Sequence, residues 1–148
     1  MDEYREVLLK IEAAVHHITK NLTPEIEQLS QLNLSRTQEA ILLLFLRNPN
    51  ITLKELADFL DISKSAVTQI VNKLEDKDLL MRTINLENRR EVRLSLGQKG
   101  EIVKKELQQF EKKVVNEYIK KIPIEDLKHS LHTLEQFEEI IRETKNHS

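Results

Sequence analysis

The chain contains no cysteine. That excludes disulfides, thiolate nucleophiles, thiol-based redox sensing and Cys-rich zinc sites. Glycine is almost as scarce, with only Gly97 and Gly100 present. A phosphate-cradling loop of the P-loop or dinucleotide-binding type needs more glycines, set between a strand and a helix. A G-x-S-x-G nucleophile elbow is also missing. Long apolar runs are absent: Ala40–Leu46 is the longest candidate, against the roughly 18 residues of a membrane span. It reads as the buried face of a helix. The opening residues carry Asp2, Glu3 and Glu6 with no apolar signal core after them, so a cytoplasmic protein without a membrane segment is expected. The Asn-x-Ser/Thr triplets at Asn21, Asn33 and Asn50 then have no glycosylation meaning.

What is present suits a folded domain. Apolar residues make up 39% and charged residues 32%, with both signs interspersed, so the chain does not read as a disordered polyelectrolyte. The length of 148 residues fits a single domain spanning 1–148. Net charge is only −2, but it is uneven. Ser63 to Lys105 holds ten Lys/Arg against six Asp/Glu. A basic segment in an acidic body is what a localised DNA-binding face produces.

The hydrophobic period divides the chain. Val7, Leu8, Ile11, Val15, Ile18 and Leu22 recur at helical spacing over Tyr4–Leu22. Thr23-Pro24 restarts a helix, with Thr23 as cap and Pro24 in the first turn. Ser35-Arg36-Thr37-Gln38 is a capping box ahead of Ile41, Leu42, Leu44 and Phe45, and Asn48-Pro49-Asn50 ends that helix. A second capping box, Thr52 to Glu55, starts a short helix ending near Leu60. Ser63 caps a third, running to about Lys77. The period then changes. Leu80, Arg82 and Ile84, then Val92, Leu94 and Leu96, alternate as in a β-hairpin, joined by a polar, basic loop from Leu86 to Arg90. Helical spacing returns with Val103, Leu107, Phe110, Val114 and Tyr118. Ile122-Pro123 breaks it, and Leu127, Leu131, Leu134, Phe137 and Ile141 mark a last helix. The predicted fold is mainly α with a small β-hairpin wing: a winged helix-turn-helix over 35–97, flanked by helices at 1–32 and 98–148. One small central unit cannot bury both terminal apolar faces. They pair within the chain or with a second copy, and the second option suits a symmetric homodimer.

Leu53 to Asn72 has helix-turn-helix spacing. Ala57 is small where the two helices cross. Asp61 falls at the turn between the two helices. Val67 and Ile70 would hold the second helix against the first, with Leu56, Leu60, Ile62 and Leu74 completing the small core. The opposite face offers Lys64, Ser65, Thr68, Gln69 and Asn72, donors and acceptors suited to base edges. Ser63 at the helix start and Lys73 beyond the row complete the candidate contacts, since a helix N-terminus favours a phosphate. In the wing, Asn88, Arg89 and Arg90 occupy the loop while Arg82 and Arg93 lie on the strands. Such a basic tip reaches an adjacent minor groove.

Residues from about Asn33 to Val103 resemble the MarR family, the multiple-antibiotic-resistance regulators. The resemblance rests on Thr52–Arg82 (TLKELADFLDISKSAVTQIVNKLEDKDLLMR) and Asn88–Gly100 (NRREVRLSLGQKG), and the helical order outside these stretches also fits. It departs from the family pattern at four places. The family often has Gly where Asp61 stands, and commonly Gly where Asp78 stands. It usually has Asp where Asn88 precedes the paired arginines, and Leu-Thr where Leu96-Gly97 stands. Glycine is an acceptable cap at that last position. The resemblance implies a bacterial transcription repressor that binds a pseudo-palindromic operator in double-stranded DNA. It implies a homodimer held by the first and the last two helices, with one recognition helix per half-site. It also implies a small-molecule effector, commonly bound between the dimer helices and the winged unit, that shifts the half-site spacing.

Other signals are weaker. His16 and His17 are adjacent and point about 100° apart. His129 and His132 are three apart, a spacing that permits shared metal ligation, but without cysteine they read as surface or interface histidines. No metal and no cofactor is expected. Phe45, Phe59, Phe110 and Phe137 read as core, and any of them could line an effector pocket. A winged helix that binds protein is the competing class, opposed by the polar helix face and the basic wing. An enzyme would lack a nucleophile, a metal cluster and a Gly-rich loop.

Overall fold

The computed structural model describes residues 2–22, 31–84, 86–88 and 92–148. The chain divides into two compact units, Met1–Gln108 and Gln109–Ser148. The first holds α1 (Glu3–Leu22), α2 (Arg36–Arg47), α3 (Leu53–Leu60), α4 (Lys64–Asp76), β1 (Leu80–Ile84) and β2 (Val92–Leu96). The boundary falls inside α5 (Gln98–Glu117). The second unit continues through a 3-10 turn at Ile119–Lys121 to α6 (Ile124–Asn146). The helix expected from Thr23-Pro24 lies outside the described residues.

Helix starts follow the capping residues. Ser35 Oγ accepts from the Gln38 amide at 3.2 Å, and Gln38 Oε1 accepts from the Ser35 amide at 3.0 Å, so the predicted box closes fully. At the second box only half forms as expected. Thr52 Oγ1 accepts from the Glu55 amide at 3.1 Å, but Glu55 Oε1 accepts from the Thr52 hydroxyl at 3.0 Å rather than from its backbone. Ser63 Oγ accepts from the Ala66 amide at 3.0 Å and caps α4. Pro123 stands immediately before α6, where its missing N–H and fixed φ do no harm.

The ends of α3 and α4 share one device. Asp61 (φ 53°) and Asp78 (φ 59°) both take the left-handed conformation. In α3, the Ile62 amide donates to the Ala57 carbonyl and the Asp61 amide to Asp58. In α4, Leu79 donates to Leu74 and Asp78 to Glu75. Each pair is a Schellman closure, usually built on glycine. Aspartate fills both places at a steric cost that glycine would not bear. Asp61→Gly should therefore raise stability by about 0.5 kcal/mol, and Asp61→Val should lower it by about 2 kcal/mol. Urea unfolding of the two variants checks the opposite signs.

The core sits among α2, α3, α4, the hairpin base and the start of α5. Ile41, Leu42, Leu56, Val67, Val71, Leu74, Leu79 and Leu80 are fully buried. Ala57 is buried in α3, a helix that packs on α4, as the need for a small side chain predicted. The α4 reading needs one correction: Ile70 is only partly buried, and Val71 is the core residue. At about 100° per residue, Val67, Val71 and Leu74 form one narrow stripe and Ile70 falls at its edge. The hairpin pairs Leu80 with Leu96, Arg82 with Leu94 and Ile84 with Val92. Its predicted inner face is buried at the base (Leu80, Leu94) and opens outward, leaving Ile84 exposed.

Both glycines sit where that hairpin enters α5. A Cβ on Gly97 would come within 2.3 Å of the Asp78 carbonyl oxygen, and one on Gly100 within 2.1 Å of that of Leu79. The turn at 78–79 lies directly against the first turn of α5. Gly97 donates to Leu79, while Lys99 and Gly100 both donate to Asp78.

The aromatic reading also needs correction. Phe45 is core, but Phe59 is 70% exposed and Phe137 is 57% exposed; Phe110 is half-buried. Phe59 lies about 110° from the centre of the Leu53, Leu56, Ala57, Leu60 stripe, outside what α4 covers. Phe137 belongs to an α6 stripe with Leu131, Leu134 and Ile141, all exposed, and α1 leaves Val7, Leu8, Ile11, Val15 and Ile18 exposed likewise. Amphipathic helices of this kind ordinarily bury their apolar stripe.

Candidate nucleic-acid interface

The α4 stripe of Val67, Val71 and Leu74 dictates what faces outward. Ser65, Gln69, Asn72 and Lys73 lie on the far side of the helix, and all four are exposed, as is Lys64 at its start. Among the described residues, none of these five side chains makes a hydrogen bond or ion pair. Their donors and acceptors are open to an incoming partner. Ser63 and Thr68 are differently placed. The Ser63 hydroxyl is taken by the helix cap. Thr68 is half-buried and its Oγ1 donates to the Lys64 carbonyl at 3.0 Å, which leaves only its acceptor capacity.

The wing is joined to this helix by an ion pair. Arg82 Nε on β1 lies 3.3 Å from Glu75 Oε2 on the last turn of α4, and both side chains are partly exposed. At that exposure the pair contributes at most about 1 kcal/mol. It does hold the guanidinium against the helix end. Arg82, expected among the DNA contacts, is thus engaged by Glu75. Asn88 is described at the tip, and it has a partner of its own. Arg89 and Arg90 lie outside the described residues. The outer row of α4 and the hairpin base joined to it through Arg82 and Glu75 form two adjacent polar ridges.

The sequence model of the MarR family matches residues 34–92, the span that carries both ridges. Over these residues the chain is similar to the MarR family. HTH-type transcriptional repressor MdtR of Bacillus subtilis strain 168 is 24% identical over 128 residues, covering 86% of this chain and 83% of MdtR. HTH-type transcriptional regulator SarZ of Staphylococcus aureus strain USA300 is 27% identical over 90 residues, and that match spans 61% of each chain. Among solved structures, Streptococcus pneumoniae FabT in complex with DNA aligns with a TM-score of 0.74 at 22% identity, covering 94% of this chain and 99% of that one. Staphylococcus aureus MarR in complex with salicylate and kanamycin aligns with a TM-score of 0.68 at 20% identity, covering 95% and 93%. These likenesses establish the predicted mainly α, winged helix-turn-helix fold. The curated relatives in these comparisons are transcription regulators rather than enzymes.

Three residues that matter here escaped the sequence reading. Glu75 has no local signal marking it as the partner of Arg82, seven positions away and across a turn. Lys77 reads as an ordinary helix-terminal lysine, yet its Nζ donates to the Leu32 and Asn33 carbonyls at 3.1 and 3.3 Å. Asp78 was visible only as a departure from glycine. Among the described residues, no three His, Cys, Asp or Glu side chains are grouped to hold a metal ion, and His129 and His132 are exposed on α6. No described helix is long and apolar enough to cross a membrane.

Proposed function

We propose that this chain is a transcription regulator that binds a pseudo-palindromic operator in double-stranded DNA as a homodimer in the bacterial cytoplasm. In this reading it acts as a repressor that a small-molecule effector releases or modulates. One observation carries the reading: the unengaged row of Ser65, Gln69, Asn72 and Lys73 stands on the outer side of a helix whose inner side is pinned in the core. Side chains of that length and chemistry match the donor and acceptor pattern of major-groove base edges. Lys64 and the capped start of α4 at Ser63 face phosphate, with Thr68 as a flanking acceptor. Arg89 and Arg90 add charge from the wing, Asn88 adds a neutral donor and acceptor, and Arg82 positions the hairpin through Glu75. In this reading residues 35–97 serve DNA binding, and residues 1–32 and 98–148 pair two copies. FabT, whose structure was solved with DNA, and MarR of Staphylococcus aureus, solved with salicylate and kanamycin, are the relatives in fold that support it.

The test is a salt titration of binding to operator and random duplexes. Gln69→Ala should relax preference at one or two operator positions, a loss of about 1–3 kcal/mol in discrimination, with nonspecific binding nearly intact. Arg89→Ala should weaken binding to most sequences and flatten the salt slope by about one unit. An unchanged salt slope and affinity for Arg89→Ala would remove the wing from the mechanism. Failure of the chain to bind any genomic fragment would remove the whole reading.

A further inference from the structure

One row of the hairpin runs out of the protein. Leu80 is fully buried at its base, and two residues on, Arg82 meets Glu75. Ile84 is 63% exposed, and Leu86, next in the same register just past β1, is 91% exposed. Val92, paired with Ile84, still packs against the core. The row therefore ends on two large apolar side chains that the described residues leave open to solvent. Single exposed apolar side chains are ordinary, but this pair has a particular setting. It stands at the projecting end of a hairpin whose base is tied to α4. Two arginines, Arg89 and Arg90, follow within four residues of Leu86. An open carboxylate at such a tip would repel phosphate, but Glu87 has a partner of its own, as does Asn88.

An apolar tip with permanent positive charge beside it suits the minor groove of a duplex. Phosphates line both edges of that groove, and its negative potential draws arginine where it is narrow. Its stacked base steps open to a leucine or isoleucine wedge, which kinks the duplex. The reach agrees. The minor groove beside an occupied major groove lies half a helical turn away, about 17 Å. The six residue steps from Leu80 to Leu86 span up to about 20 Å when extended. We propose that Leu86 is a minor-groove wedge. Arg89 and Arg90 draw the tip into the groove flanking each half-site, Leu86 enters between base pairs at a flexible pyrimidine–purine step, and Ile84 fills the opened groove behind it. The operator is then read partly by how readily its flanks deform, at positions that no polar side chain touches. This rests on the DNA-binding reading and adds a sequence class to it: TA or CA/TG steps outside the two half-sites.

The probe is a duplex that the wild-type chain enriches from random sequence. With 2-aminopurine in place of the adenine at the flanking pyrimidine–purine step, fluorescence reports unstacking. Wild type should raise that fluorescence about threefold or more, and Leu86→Ala should leave it nearly flat. Changing the step to AA should cost wild type about tenfold in affinity and Leu86→Ala no more than about twofold. Leu86→Met keeps an apolar wedge and should behave as wild type. Met81→Ala is the control: it removes a partly exposed apolar side chain from the other face of β1 and should also behave as wild type. Leu86 lies outside the core, so its variants keep the fold. The wedge is overturned if Leu86→Ala retains the fluorescence rise, if it responds to the changed step as wild type does, or if Met81→Ala has the same effect. A fall in solution mass for Leu86→Ala, measured by light scattering, would assign the tip to pairing of copies and overturn it as well. If wild type enriches no duplex, the DNA-binding reading fails and the wedge with it. If it enriches one whose flanks carry no pyrimidine–purine step, the wedge alone fails.

Discussion

Gly100→Ala is expected to destabilise the chain by about 3 kcal/mol or more. The added Cβ would lie 2.1 Å from the Leu79 carbonyl oxygen and 3.0 Å from Leu96 Cδ2. The leucine methyl can turn aside. The carbonyl cannot, because Leu79 is fully buried and its own amide closes α4. Relief requires the first turn of α5 to withdraw, which breaks the bonds donated by Gly97, Lys99 and Gly100, each worth about 1 kcal/mol net. Against a total stability on the order of 5–15 kcal/mol, that is a large share. Urea unfolding should give a lower midpoint with an unchanged slope, compared at equal protomer concentration because pairing of copies adds to apparent stability. Gly97→Ala meets the Asp78 carbonyl at 2.3 Å and should behave similarly. Asp78→Gly should not rescue it: it removes the side-chain oxygen 2.6 Å from that Cβ, but the carbonyl at 2.3 Å remains. A midpoint equal to wild type would mean that the 78–79 turn and α5 are not in contact.

Leu134→Glu should convert the proposed dimer to a monomer at micromolar concentration. Leu134 stands in the middle of the exposed α6 stripe with Leu131, Phe137 and Ile141. Burying a leucine contributes about 1.5–3 kcal/mol, and a symmetric interface counts each position twice. Loss of both, with a carboxylate forced into the seam, weakens pairing by roughly 1,000-fold or more. Operator binding then loses its second half-site, an effect on the order of 100-fold. Light scattering should move from about twice the chain mass to 17.4 kDa. A variant that stays dimeric and binds operator within twofold of wild type would show that the α6 stripe serves something else. Ile11→Glu on the α1 stripe makes the parallel test.

Sequence alone determined what depends on near neighbours. Helix starts were legible because a cap is a hydrogen bond to a backbone amide three residues on: Ser35, Thr52 and Ser63 each cap the helix that their spacing announced. The two hairpin strands were legible because alternation has a period of two. The outer row of α4 followed from the same geometry, since a helix that pins Val67 inward must turn Ser65 and Gln69 outward. The left-handed turn at Asp61 was implied by the glycine that the resembling family places there, a conformation Asp accepts better than most residues. What needs distant partners was not legible. Ile70 and Val71 are both apolar, and only the place of α4 against its neighbours decides which one is buried. Phe59 looked like core because hydrophobicity records what a side chain prefers, while its exposure depends on where α4 ends its cover of α3. Nothing local marks Glu75 as the partner of Arg82, or Lys77 as the tie to Leu32 and Asn33, because those contacts exist only once the chain has folded back on itself. The two glycines show the same division. Their rarity excluded nucleotide-binding loops from the sequence alone, but the reason both must be glycine is a carbonyl about 20 residues away, and only the tertiary structure brings Asp78 and Leu79 to that spot.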